Sequence, residues 1–76
     1  MLKVNQFIIR TDDAIYFQSY NKIICKKDID GPMTLDEDYW NYSRTTSKYR
    51  CKFLGEGGEV TKRKIQDGIY QLDQLN

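Results

Sequence analysis

Tyr39-Trp40-Asn41-Tyr42-Ser43-Arg44-Thr45-Thr46-Ser47-Lys48-Tyr49-Arg50-Cys51-Lys52-Phe53-Leu54-Gly55 is the stretch on which the fold turns. Before it, apolar side chains recur at every second position. From Ser43 onward they recur at about three and a half. Ser43 is an N-cap residue whose hydroxyl can accept from the amide of Thr45 or Thr46, a contact worth about 1 kcal/mol. Thr46, Tyr49, Phe53 and Leu54 then fall along one side of a helix, and Arg44, Lys48 and Lys52 repeat on another. Gly55 stands where a left-handed C-cap is needed, and the basic residues near that end suit the helix dipole. The spacing predicts an amphipathic helix over about 43–54. Trp40 sits at the corner where sheet gives way to helix, and Trp40, Tyr49 and Phe53 are the anchors expected to hold the helix down.

Working outward, residues 4–10 and 14–18 are rich in branched and aromatic side chains and flank Thr11-Asp12-Asp13, which predicts a hairpin. Ile15 and Phe17 share one face of it. Ser19-Tyr20-Asn21 reads as a second tight turn and residues 22–26 as a third strand. Lys27-Asp28-Ile29-Asp30-Gly31-Pro32 breaks the run, and Met33-Thr34-Leu35-Asp36 resumes it as a short fourth strand. The acids at its end, Asp36, Glu37 and Asp38, suit an exposed edge that resists pairing with another molecule. After Gly55-Glu56-Gly57-Gly58, residues 59–67 predict a shorter helix with Val60 and Ile65 as its apolar contacts, stopped by Gly68. Residues 69–75 alternate as a final strand. The whole is one α+β domain over 1–76: an antiparallel sheet of four to five strands, a meander followed by a returning C-terminal strand, packed against one main and one short helix.

A chain of 76 residues buries only about 60% of its unfolded surface, so the core is small. With 39% hydrophobic and 30% charged residues and a single proline it reads as an ordered domain. No apolar run reaches the ~18 residues of a membrane span, and residues 1–6 lack the apolar core of a signal peptide. A cytosolic protein is expected, with Cys25 and Cys51 as free thiols. The net charge of +1 hides segregation. Residues 28–40 hold five acids and no base, whereas residues 41–64 hold seven bases against Glu56 and Glu59.

Phe17-Gln18-Ser19-Tyr20, Thr34-Leu35-Asp36-Glu37, Trp40-x-Tyr42-Ser43-x-Thr45-Thr46-Ser47-Lys48-Tyr49 and Phe53-Leu54-Gly55-Glu56 together resemble a group of short proteins from phages and mobile elements of Gram-positive bacteria, classed as a domain of unknown function. The likeness spans nearly the whole chain and is most specific from Trp40 to Gly55. In that group an aspartate is common where Asn41 stands and an asparagine where Cys51 stands. The resemblance implies an origin, and with it a tendency to act on host machinery by binding; anti-defence inhibitors are one such class.

Catalysis has little to work with. There is no histidine, so Ser-His and Cys-His routes to an activated nucleophile are closed. A zinc site lacks its ligands, and consecutive acids Asp36, Glu37 and Asp38 on an extended segment point in alternating directions. Gly55-Glu56-Gly57-Gly58 lacks phosphate-loop spacing, and Glu56 would repel phosphate. No enzyme, metal or cofactor is expected. The cations Arg44, Lys48, Arg50, Lys52, Lys62, Arg63 and Lys64 carry the functional reading. They suit a host protein or nucleoprotein complex; alternatively they suit nucleic acid directly, through the helix at 43–54 and Lys62–Lys64. The acids from Asp28 to Asp38 suit a basic groove on an enzyme, and the two opposite patches together suit self-association into a homodimer.

Overall fold

The computed structural model describes residues 5–76. β1 (Gln6–Arg10), β2 (Ala14–Ser19), β3 (Lys22–Asp28) and β4 (Met33–Asp36) are followed by α1 (Arg44–Leu54), α2 (Gly58–Gln66) and β5 (Gln71–Asp73). The strands form one sheet in the order β1-β2-β3-β4-β5. This is the expected α+β fold, and the first four strands are the expected antiparallel meander. Val4, read as the start of the first strand, lies outside the described residues.

The returning strand β5 pairs with β4 in parallel, Thr34, Leu35 and Asp36 opposite Gln71, Leu72 and Asp73. A parallel neighbour requires a crossover, and α1 and α2 supply it. β4 is therefore an inner strand. The acids at its end do not guard an edge, as the sequence reading had it: Asp36 is 2% exposed and faces inward as a hydrogen-bond hub. Its carboxylate accepts from the amides of Asp38 at 3.1 Å, Tyr39 at 3.0 Å and Leu75 at 2.7 Å. One side chain thus turns the chain out of β4 and also ties down the segment after β5.

The turn at Tyr20-Asn21 is tight, with Tyr20 in the left-handed region at φ 58°. Beyond it Phe17 pairs with Cys25 but Gln18 pairs with Ile23, so Ile24 is an extra residue in β3. A bulge of this kind sets two successive side chains against the same layer. Ile24 and Cys25 are accordingly both fully buried, and with Phe17, Leu35 and Tyr49 they make the core. Asn76 completes β3 beyond the reach of β4: its Oδ1 accepts from the Ile23 amide at 2.8 Å and its Nδ2 donates to the Ile23 carbonyl at 2.9 Å.

α1 is capped as its sequence requires. The Thr46 amide donates to Ser43 Oγ at 3.1 Å, and Gly55, at φ 72°, donates its amide to the Cys51 carbonyl at 2.8 Å. Two contacts fix the helix on the sheet. Phe53 stacks on Phe17 with centroids 5.7 Å apart, and Thr46 Oγ1 pairs with Ser19 Oγ at 2.9 Å in a fully buried hydroxyl pair. In α2 the expected apolar contact at Val60 is absent, since Val60 is exposed and Thr61 is buried in its place. Thr61 can be there because its hydroxyl is satisfied, donating to Glu56 Oε2 at 2.7 Å and lying 3.2 Å from the Gly57 carbonyl. Ile65 packs against the core as expected.

Candidate partner-binding face

The outer face of α1 carries Arg44, Lys48 and Lys52, all exposed. None of them forms an ion pair among the described residues, where the salt bridges are Lys26–Asp28 and Lys64–Glu56. Lys48 and Lys52 flank Tyr49, their Nζ atoms 5.7 and 5.2 Å from its ring centroid. The tyrosine is 5% exposed, so its ring is held in the core while the ammonium groups of two surface lysines lie over it. The stripe read from the sequence is therefore a row of unpaired positive charge on a well-capped helix.

Arg50 does not belong to it. Read as a partner contact, it is 1% exposed and lies beneath α1. Thr46, Tyr49, Arg50 and Phe53 occupy the i, i+3, i+4, i+7 positions of the inward face, so the register alone sends Arg50 inside. No carboxylate among the described residues meets it. Nη1 donates to the Trp40 carbonyl and lies 3.3 Å from Asn41 Oδ1 and 3.4 Å from Ser47 Oγ, and Nη2 lies 3.6 Å from Cys51 Sγ. The guanidinium also stands over the Trp40 ring, 5.1 Å from its centroid. A weakly hydrated planar cation tolerates such a site of carbonyl, amide and π-face where an ammonium would not. Trp40 is half-buried against the core and is joined to α1 by Arg50.

On α2, Lys62 and Arg63 are exposed, while Lys64 is engaged. Its Nζ donates to Glu56 Oε1 at 2.8 Å, the Tyr70 hydroxyl donates to the same oxygen at 2.7 Å, and Thr61 takes the other. Burial pushes the Glu56 carboxyl up, yet the donors from Lys64, Thr61 and Tyr70 outweigh it and hold the group below its ordinary value. The hydrogen bond to Glu56 raises Lys64. Lys64 is thus a structural cation. The predicted acidic patch also divides, with Asp36 buried and Glu37 and Asp38 exposed.

Sequence reasoning missed a groove of about 600 Å³ beside the C-terminal end of α1. Its apolar walls include Ile8, Ile15, Phe53 and Ile69, and Arg10, Lys27 and Lys52 stand around it. These residues come from β1, β2, β3, α1 and the segment before β5, so no local pattern announces them. Lys52 joins the groove to the stripe. The cysteines are both free, Cys25 buried and Cys51 half-buried, and burial pushes the Cys25 thiol up to about 12 against a partial pull from Arg50. No helix among the described residues is long and apolar enough to cross a membrane.

No curated protein and no solved structure matches this chain. One family model does, over residues 1–69, which takes in everything from the first strand through both helices and leaves β5 beyond the match. A chain matched over that much of its length, with the helix cap, the tryptophan corner and the inward arginine all inside the matched span, belongs to the family of unknown function DUF8033.

Proposed function

We propose that this chain is a small non-enzymatic accessory protein, of the phage or mobile-element kind its motifs resemble, which binds and modulates a host protein or nucleoprotein complex. An inhibitor of host defence is the class that fits such a protein. One observation carries the reading: Arg44, Lys48 and Lys52 form an exposed cationic row without acidic partners among the described residues, on a helix fixed at both caps and by Phe53 and Thr46. Charge laid out on a rigid helix speeds encounter with an acidic surface and fixes its register. Lys62 and Arg63 extend the same sign of charge on α2. Direct nucleic-acid binding has less support, because Tyr49 is buried and has no face to stack on a base, and Lys64 is neutralised by Glu56.

The test is capture from host lysate with the wild-type chain and with an Arg44→Glu/Lys48→Glu/Lys52→Glu variant, with and without nuclease, read by mass spectrometry. A protein retained after nuclease and lost with the variant is the expected result. Capture abolished by nuclease would move the function to nucleic acid, and identical capture by both baits would sink the proposal. The variant stays folded: it forgoes two surface cation–π contacts, a cost of about 1–2 kcal/mol in all.

A further inference from the structure

The two edges of the sheet are not alike. β5 is three residues long and ends in Asp73, and both features discourage a further strand. β1 has no such guard. It runs Gln6-Phe7-Ile8-Ile9-Arg10, with no proline, acid or lysine, and Phe7, Ile8 and Ile9 are each 38–45% exposed. Apolar side chains therefore show on both faces of one edge strand, Ile8 beside Phe17 on the helix side and Phe7 and Ile9 on the opposite side. Among the described residues no strand lies along the outer edge of β1.

The hydrogen-bond phase of β1 fixes which of its backbone groups are free. It is tied to β2 at Asn5, whose carbonyl accepts from the Tyr20 amide at 2.7 Å, and at Thr11, whose amide donates to the Ala14 carbonyl at 2.9 Å. Bonded positions alternate along an antiparallel pair, so Phe7 and Ile9 also turn their groups toward β2, and Gln6, Ile8 and Arg10 turn theirs outward. An antiparallel second copy centred on Ile8 matches this edge at every position. Ile8 falls opposite Ile8 on the helix face, Phe7 opposite Ile9 on the other, and Gln6 opposite Arg10, so apolar meets apolar, amide meets guanidinium and no like charges are opposed. Each outward residue exchanges both backbone bonds with the residue opposite it. Moving the centre to Phe7 or Ile9 sets Gln6 or Arg10 against Ile8 instead.

We propose that this protein forms a two-fold dimer through β1, the strands of two copies running antiparallel about Ile8 to make one continuous sheet. The contact consumes the open edge and leaves β5 at both ends, so the assembly closes instead of growing into a filament. One short strand from each copy gives a contact at the low end of interface sizes, about 1,200 Å² or less, and the dimer is accordingly weak. β1 holds none of the cations Arg44, Lys48 and Lys52, so the dimer stands or falls separately from the proposed function.

The experiment is sedimentation equilibrium of the full chain into the high micromolar range, paired with amide exchange read by NMR. The wild type is expected to approach twice its 9.0 kDa mass as concentration rises. Over the same range exchange at the Ile8 and Arg10 amides is expected to slow about tenfold, whereas the Phe7 and Ile9 amides, already bonded to β2, change little. Two variants on the face away from α1 test the register, Phe7→Glu/Ile9→Glu and Phe7→Lys/Ile9→Lys. Each sets like charges opposite one another across the axis and is expected to stay monomeric alone. Mixed in equal amounts they are expected to recover the dimer, because every glutamate then faces a lysine. A wild type monomeric at every concentration would overturn the proposal. So would a dimer in which exchange at Ile8 and Arg10 is unchanged, a dimer that both variants leave intact, or variants that fail to rescue each other while keeping native circular dichroism.

Discussion

Arg50 stands over the ring of Trp40, 5.1 Å from its centroid, and donates through Nη1 to the carbonyl of the same residue. One side chain therefore reads both the backbone and the indole of the residue where sheet gives way to helix. The contact spans ten residues of sequence and closes the loop between β4 and α1.

This pairing predicts an ordered series of stabilities. Arg50→Ala should cost about 3 kcal/mol, because it strands the Trp40 carbonyl and opens a cavity in a small core. Arg50→Lys should cost less, keeping a donor but losing the planar stack. Urea unfolding monitored by Trp40 fluorescence gives the values, and an alanine variant as stable as wild type would show that the buried guanidinium contributes nothing.

The hydroxyl pair Ser19–Thr46 is the polar link between β2 and α1. Thr46→Val should cost about 1–2 kcal/mol, since Ser19 Oγ is then buried without a partner. Combining it with Ser19→Ala should cost less than the sum of the two single changes. A double-mutant cycle by chemical denaturation measures this; strict additivity would mean the hydroxyls do not interact.

Asp36 spends its two carboxylate oxygens on three amides. Asp36→Asn retains one acceptor, so it should free either the turn at Asp38 and Tyr39 or the Leu75 amide, at a cost of about 1–3 kcal/mol. Amide exchange distinguishes the two: we expect protection to fall at Leu75, the only one of the three bound to Oδ1.

The pH dependence has a separate origin on each side. Glu56 has a folded-state pKa below its ordinary 4.5, so its contribution is present above that value and lost as pH falls through the lower, folded one. Glu56→Gln should flatten the acid limb of the stability curve. Cys25 runs the other way. Its thiol is pushed from 9.0 up to about 12, so above pH 9 the unfolded chain ionises first and stability falls by up to about 1.4 kcal/mol per pH unit until the folded thiol ionises as well. Cys25→Ala should remove that share of the alkaline loss. A thiol reagent at neutral pH should modify Cys51 in the native protein and Cys25 only on unfolding; equal rates at both would show that the core opens readily.

The helix at Arg44–Leu54, its two caps, the meander and the anchors Tyr49 and Phe53 were determined by the sequence alone, because each rests on local spacing: a hydroxyl three residues before an amide, a glycine where the backbone must turn left-handed, apolar groups at a fixed period. The unpaired row Arg44, Lys48, Lys52 was legible for the same reason. Arg50 was not read correctly, although its place four residues after Thr46 on the inward face was visible; its charge argued for solvent and its register for the core. Asp36 likewise looked like an edge guard until β5 was placed beside β4. The parallel return, the bulge at Ile24 and the groove among five segments belong to tertiary structure only. They arise from contacts between residues far apart in the chain, such as Leu75 with Asp36 and Asn76 with Ile23, and no local period encodes which distant partner satisfies a buried polar group.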